Sequence, residues 1–472
     1  MGDARTVRCC ARWGSGSGSG SGSRSRCRTT SEAGDMDHGE RPSAPGSAVR
    51  GSAAEVLRVF FLLGLTSFGG PIAHLGYFRR ELVERRRWIG EERYAELVAL
   101  CQFIPGPASS QLGFALGLGR AGWRGALAAW LGFTLPSAVV MGLAGLGIAR
   151  LDGPIARGAL AGLVAVAAAV VAHAVWSMAR TLTPDLRRIL IAILAGAIAV
   201  LLPLLAGPGL PIAFGQPVAI ALGAGLGILL CRAVAGPDPA ATSRRCRADL
   251  GAGDGPSSGS GRVAVLALAI LALVAVALPL AARSTGLSWV AIADACFRAG
   301  ALVFGGGHVV LPLLQAEPAI ANAVSPGDFL AGYGLAQAMP GPLFTFGAFL
   351  GASGDGGSAT HFVPGMLSAA AALVAIFLPG LLLLLAALPL WERLRRNAVA
   401  RAALAGANAA VVGILAAALI TPIISEGITG PWAALLAAVC LGLLLARRVP
   451  VWLVVLLGAG AGAALGAFGL IG

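Results

Sequence analysis

Apolar residues in this chain fall into long blocks separated by short polar or basic stretches. Segments near 125–148, 158–178, 189–207, 217–235, 263–282, 363–390, 398–420, 431–446 and 450–470 are almost free of charge. Most approach the ~20 residues that an α-helix needs to cross the hydrocarbon core of a bilayer. Buried core helices of a soluble protein do not account for so many in one chain. The pattern therefore predicts an all-α polytopic membrane protein. Two further apolar stretches are interrupted. The one at 56–76 holds Gly69-Gly70-Pro71, and the one at 103–119 opens on Pro105-Gly106-Pro107. Proline lacks a helix donor and disfavours α geometry in the residue before it, so both stretches are predicted as broken helices or re-entrant hairpins.

The same features occur twice. Phe61, Gly64, Phe68-Gly69-Gly70, Glu81 and Glu92 recur as Phe297, Gly300, Phe304-Gly305-Gly306, Glu317 and Asp328, at an offset of 236. Gln102 with Pro105-Gly106-Pro107 recurs as Gln337 with Pro340-Gly341-Pro342, at 235. Leu135-Pro136 matches Leu378-Pro379, and Arg157 with Ala159-Leu160-Ala161-Gly162 matches Arg401 with Ala403-Leu404-Ala405-Gly406. Order is kept and the offset drifts by only a few residues, which marks two related halves. The predicted organisation is a polar tail at 1–50, a repeat at 53–235, a basic linker with a linker helix at 236–288, and a second repeat at 289–472.

Charge then orients the chain. Hydrophobic residues make up 57% and charged residues 12%, against roughly 25% charged in a typical globular domain. All 35 basic residues are Arg, and most lie between apolar blocks. The net charge of +13 therefore reads as positive-inside orientation rather than nucleic-acid binding. If 56–76 and 103–119 are hairpins that enter and leave on one side, the Arg-rich segment 79–96 joins the other basic stretches on the cytoplasmic side. Five full spans then precede the hairpins at 289–312 and 329–351, which enter from the outer side. The halves are thus expected to form an inverted repeat, a common transporter plan. The eight cysteines form no CxxC or Cys/His cluster, and no metal site or cofactor is expected. The tail, with its Gly-Ser repeat, reads as disordered; Met36 is an alternative start.

Several long motifs resemble the chromate ion transporter family, in its two-domain, long-chain form. They are Gly64-Leu-Thr-Ser-Phe-Gly-Gly-Pro-Ile-Ala-His74, the run from Phe78 to Trp88, and Cys101-Gln-Phe-Ile-Pro-Gly-Pro-Ala-Ser-Ser-Gln111. The second half is similar through Val303–Gly307, Leu311–Gln315, Gln337–Phe346, Trp391–Arg396 and Asn408. The resemblance covers roughly 53–470. It implies export of chromate across the inner (plasma) membrane, driven by the proton motive force, with chromate resistance as the result. A carrier of sulfate or another oxyanion, importing included, is the alternative. The implied partners are the oxyanion, the lipid bilayer and, at most, a second copy of the chain as a homodimer. Nucleic acid and catalysis are not expected.

A dianion entering a low-dielectric layer needs donors in place of its water. Phe68, Gly69, Gly70 and Pro71, with Phe304, Gly305, Gly306 and Gly307, can present backbone N–H groups at half-helix N-termini. Helix-packing glycines are the alternative. Gln102 and Gln337 offer side-chain amides near the breaks, while Pro105, Gly106, Pro107, Pro340, Gly341 and Pro342 shape them. Arg298 is the candidate for direct anion contact, or else it snorkels to the interface. Glu81, Glu317 and His74 are candidates for proton coupling; for Glu81 a salt-bridged surface position is the competing reading.

Overall fold

A computed structural model describes residues 51–147, 153–206, 215–231, 260–304, 307–354, 362–391, 394, 397–428, 430–446 and 449–471. The tail at 1–50 and the pair Gly305-Gly306 lie outside the described residues. No strand occurs among those described.

Each half opens with two broken helices. Helix α1 (Ala53–Thr66) starts where the Ser52 side chain accepts from the Glu55 N–H, and it stops at Ser67. After the break the chain re-enters helix as α2 (Gly70–Phe78), with proline in its first turn. Helix α3 (Glu91–Phe103) ends at Ile104, and α4 (Ala108–Gly147) begins after Pro107. α4 is itself two segments, because Ala121 and Gly122 leave helical geometry. The Arg-rich segment 79–96 does not form one helix. A π-helical turn spans Arg79–Arg85, and 86–90 connect it to α3. Leaving the helix lets Trp88 and Ile89 pack on the α1–α4 core, which a continuous helix would prevent.

Four more helices lead to the second half: α5 (Pro154–Leu182), α6 (Leu186–Ala206), α7 (Gly215–Leu230) and α8 (Ser260–Thr285). There α9 (Ser288–Leu302) ends at Val303, and the chain resumes with a 3-10 turn and α10 (Val310–Gln315). The short α11 (Pro318–Ala323) precedes α12 (Pro326–Ala338), which ends at Met339 before a 3-10 turn and α13 (Phe346–Gly354). Helices α14 (Phe362–Ala387), α15 (Ala398–Ala418), α16 (Pro431–Leu445) and α17 (Val451–Ala467) complete the chain. Five helices are long and apolar enough to span a membrane among the described residues. One of them is α8, almost wholly unburied within the protein.

The inversion can be read from contacts along α4 and α14, which are repeat equivalents through Pro136 and Pro379. These two run antiparallel. Trp130 meets Phe377 edge-on at 5.7 Å, while Gly142 lies against Met366 and Gly365 against Leu146. Helix α1 packs beside the first part of the 123–147 segment, with Gly64 on Gly132 and Phe133. Helix α13 packs beside the last part, where Ser353 donates to the Gly145 carbonyl at 3.3 Å. On α14 the order is reversed: Gly300 and Gly351 of the second half sit at Ile376 and Ser368, and Gln111 of the first half reaches Gly380. The hairpins of the two halves therefore approach from opposite ends, and each stops about midway.

The later helices are exchanged between halves. α6 and α7 pack on α15, whereas α16 and α17 pack on α5. The repeated Ala-Leu-Ala-Gly segments explain this exchange. Gly162 lies against Gly458 and Gly462 of α17, and Gly406 lies against Gly223 and Gly227 of α7. Small residues let backbones approach closely where lipid offers no hydrophobic drive for association.

Candidate functional site

The breaks meet in two reciprocal pairs. The Gly341 N–H donates to the Ser67 carbonyl at 2.9 Å, and the Gly106 N–H donates to the Val303 carbonyl at 2.8 Å. Ser67 and Val303 cap the C-terminal ends of α1 and α9. Each Pro-Gly-Pro thus satisfies an orphan carbonyl at a helix end of the other half. Gly341 also lies against Ser137 of α4, and Gly106 against Gly380 of α14, which are equivalent positions. Pro136 and Pro379 each remove one intrahelical hydrogen bond beside these contacts.

The C-terminal ends are tied down in this way, whereas the helix starts that follow the breaks have no side-chain cap. Gly69 caps α2 without a side-chain hydrogen bond, and Pro342 does the same for the 3-10 turn Leu343–Thr345 that leads into α13. Gly70 has open space where a side chain would be. Phe68 packs on Trp452 of α17 with centroids 5.6 Å apart.

Side chains at the crossings are not equivalent in the two halves. Ser67, His74 and Thr134 are all buried, and their side-chain polar atoms lack hydrogen-bond partners. His74 packs edge-on to Phe133 at 5.2 Å and sits against the Ser67 backbone without hydrogen-bond geometry at either ring nitrogen. The equivalent positions in the second half are Val303, Val310 and Phe377. Unsatisfied polar atoms in an apolar interior cost free energy, so their restriction to one half marks that half as the polar face of the crossings. None of this triplet's asymmetry was drawn from the repeat, although comparing the aligned positions exposes it.

Gln111 was likewise read only as the end of a motif. It is fully buried, and its Nε2 donates at 2.9 Å to both the Pro105 and Gly380 carbonyls. It ties the first-half break to α14. Gln111→Leu leaves two buried carbonyls without that donor, and should lower stability by about 2–4 kcal/mol. Thermal unfolding of the purified protein in detergent checks this; an unchanged melting temperature would show that the bridge contributes nothing.

The two glutamines singled out by the repeat diverge. Gln102 is exposed on α3, whereas Gln337 is buried on α12 and shares a side-chain hydrogen bond with Tyr333. The reason is packing, since α12 docks on α5 and α17 and α3 does not. Pro105, Pro107, Pro340 and Pro342 shape the breaks. Phe304 is partly buried against the main core, and Gly307 opens the 3-10 turn before α10. Pro71 lies in the first turn of α2, and Asn408 is half-buried on α15.

Arg298 is not at the crossings. Its guanidinium bonds Glu317 twice, Nη2 to Oε2 at 2.6 Å and Nε to Oε1 at 3.2 Å, and bonds Asp294 through Nη1. All three nitrogens of this candidate for direct anion contact are engaged by carboxylates. Asp294 was missed, although its i, i+4 spacing to Arg298 is a recognisable helix pair. Glu81 is gripped by Arg86 at 2.6 Å and Arg85 at 3.0 Å. Partial burial pushes its carboxyl up, but the two guanidiniums outweigh this and the net shift is downward.

Inverted, interlocked halves with broken helices meeting midway define a multi-pass membrane protein of the transporter class. The chromate transporter profile matches residues 54–228 and again 290–463, and the chain belongs to that family. It is 28% identical over 368 residues to a chromate transport protein of Pseudomonas aeruginosa, covering 76% of this chain and 79% of that one. It is 42% identical over 90 residues to a probable chromate transport protein of Synechococcus elongatus, which is 19% of this chain and 23% of the relative. A third similarity, to a chromate transport protein of Cupriavidus metallidurans, is 37% over 99 residues, 21% of this chain and 25% of the relative. In these last two the chain spans about a quarter of the relative's length. No solved structure matches the chain.

Proposed function

We propose that this protein is a secondary active transporter that exports chromate across the inner membrane, driven by the proton motive force, and so confers chromate resistance. The observation that carries this reading is the family match over both halves, in a chain whose relatives are named as chromate transport proteins. The crossings supply a physical rationale. A tetrahedral dianion would take N–H donors from the helix ends at Gly69-Gly70 and after Pro107, Gly307 and Pro342, and hydroxyl groups from Ser67 and Thr134, while Gln111, with both Nε2 hydrogens given to carbonyls, holds the break in shape. Phe68, Pro105, Gly106, Gly341 and Gln337 would shape this space. Preorganised dipoles replace hydration without bringing a mobile counter-charge into the layer.

Sulfate has the same shape and charge, so the test must separate the two ions. Cells expressing the chain should survive higher chromate and retain several-fold less labelled chromate than cells expressing an inactive variant at equal level. Equal accumulation with no gain in resistance would sink the proposal. Raised accumulation that excess sulfate abolishes would identify a sulfate importer instead.

A further inference from the structure

Away from the crossings, α7, α8, α9 and α11 enclose a cavity of about 390 Å³, lined by Gln216, Arg283, Asp294, Arg298, Leu302 and Glu317. Its lining comes from the end of α8, from α9 ahead of the break at Val303, and from the start of α11. Asp294 is only 5% exposed, lines the cavity, and leaves Oδ1 without a partner. Glu317 is similarly buried, at 6% exposure. Gln216 also lines the cavity with an unpartnered Oε1, its Nε2 donating to the Pro312 carbonyl.

Two buried carboxylates share one guanidinium here, so one negative charge is uncompensated within the cluster. Arg283 faces Asp294 from α8, but it lies at the exposed rim, where solvent screens it. The buried Cys296 thiol is the other titratable group against Glu317. Helices α7, α10, α11, α13 and α14 bring no ionisable side chain among the described residues. Burying an unpaired charge is costly, and a proton is the smallest ligand that removes it.

The first half holds the opposite arrangement. Glu81 stands at the repeat position of Glu317, but Arg58 and Leu62 stand at those of Asp294 and Arg298. There two guanidiniums serve one carboxylate. We propose that Asp294, Arg298 and Glu317 form a proton-binding site reached through this cavity, and that only the second half possesses one. A hydronium ion in the cavity gives its proton to Asp294 Oδ1, water leaves, and the cluster rises by one unit of charge with no other bond broken. Arg298 then loses the anionic partner of its Nη1 and keeps Glu317. Helix α9 carries this change just over one turn to Val303, whose carbonyl accepts the Gly106 N–H at the crossing. The role of this site in coupling rests on the export reading; its existence as a proton site does not.

Infrared pH-difference spectra of the purified, substrate-free protein in lipid test the site directly. Acidification should bring up the C=O stretching band of a protonated carboxyl, and Asp294→Asn should remove it. Glu317→Gln should remove or displace the same band, which covers the case in which Asp294→Asn does not fold, and Glu81→Gln should leave it in place. A band that survives unchanged in both Asp294→Asn and Glu317→Gln overturns the proposal. In liposomes, chromate flux that rises several-fold with acidification on the cavity side should become independent of pH in Asp294→Asn. Absence of chromate flux in the unsubstituted protein would refute the export reading while leaving the infrared result to decide the site.

Discussion

Gly106→Ala and Gly341→Ala are each expected to abolish transport and to cost about 2–6 kcal/mol of stability. Gly106 has φ 125° and Gly341 has φ 97°, a region that side-chain-bearing residues occupy only under strain. Strain alone contributes about 1–3 kcal/mol, and overpacking about as much again. An added Cβ at Gly106 would stand 2.8 Å from the Gly380 Cα and 2.6 Å from the Gln111 Nε2. At Gly341 it would meet the Ser137 Oγ at 2.8 Å and the Phe133 carbonyl at 3.2 Å. Relief requires the loop to back away, which breaks the N–H bond to Val303 or Ser67 and releases that crossing. Melting temperature and flux are read together, with Gly225→Ala on α7 as control, since nothing lies within 4 Å of its added Cβ. Wild-type flux in both crossing variants would show that the reciprocal bonds are not needed for function.

The second large effect is expected at the exchanged helices. Gly462→Val on α17 and Gly406→Val on α15 should yield little folded protein. A Cβ at Gly462 would lie 2.6 Å from the Gly162 Cα, and one at Gly406 would lie 2.6 Å from the Gly227 Cα. Both obstacles are backbone, so no rotamer change helps and the helices must separate. Even a well-accommodated overpacking costs about 1–3 kcal/mol; here the close approach that substitutes for a hydrophobic drive is also lost. Gly460 lies between Gly458 and Gly462 on the same helix, with nothing within 4 Å of an added Cβ. Gly460→Val should therefore leave yield and size-exclusion profile unchanged. Equal yields for Gly460→Val and Gly462→Val would contradict the exchanged packing.

How much of this was readable beforehand depended on distance along the chain. The broken helices followed from prolines and glycines acting on their immediate neighbours. The interruption within 79–96 is beyond the reach of the same local reasoning. Helical charge spacing was visible there, but the gain from burying Trp88 and Ile89 was not. Arg298 illustrates a different limit. An isolated arginine in an apolar segment looks available for an anion until Glu317, nineteen residues on, is seen to hold it. Gln111 is more extreme, because one of its two acceptors lies 269 residues away.

Composition and periodicity by themselves determined a helical membrane protein of two repeated halves, because helix length in a bilayer and proline's missing donor are local constraints. Arg placement pointed to inversion, since charge responds to the membrane rather than to a partner side chain. Only the tertiary structure decided that the breaks pair reciprocally, that the last helices change halves, and that Ser67, His74 and Thr134 stand unpartnered together on one side of the crossings. Those outcomes rest on contacts between small residues far apart in the chain. A glycine seam carries no amphipathic signature, and its meaning appears only with the backbone it allows to approach.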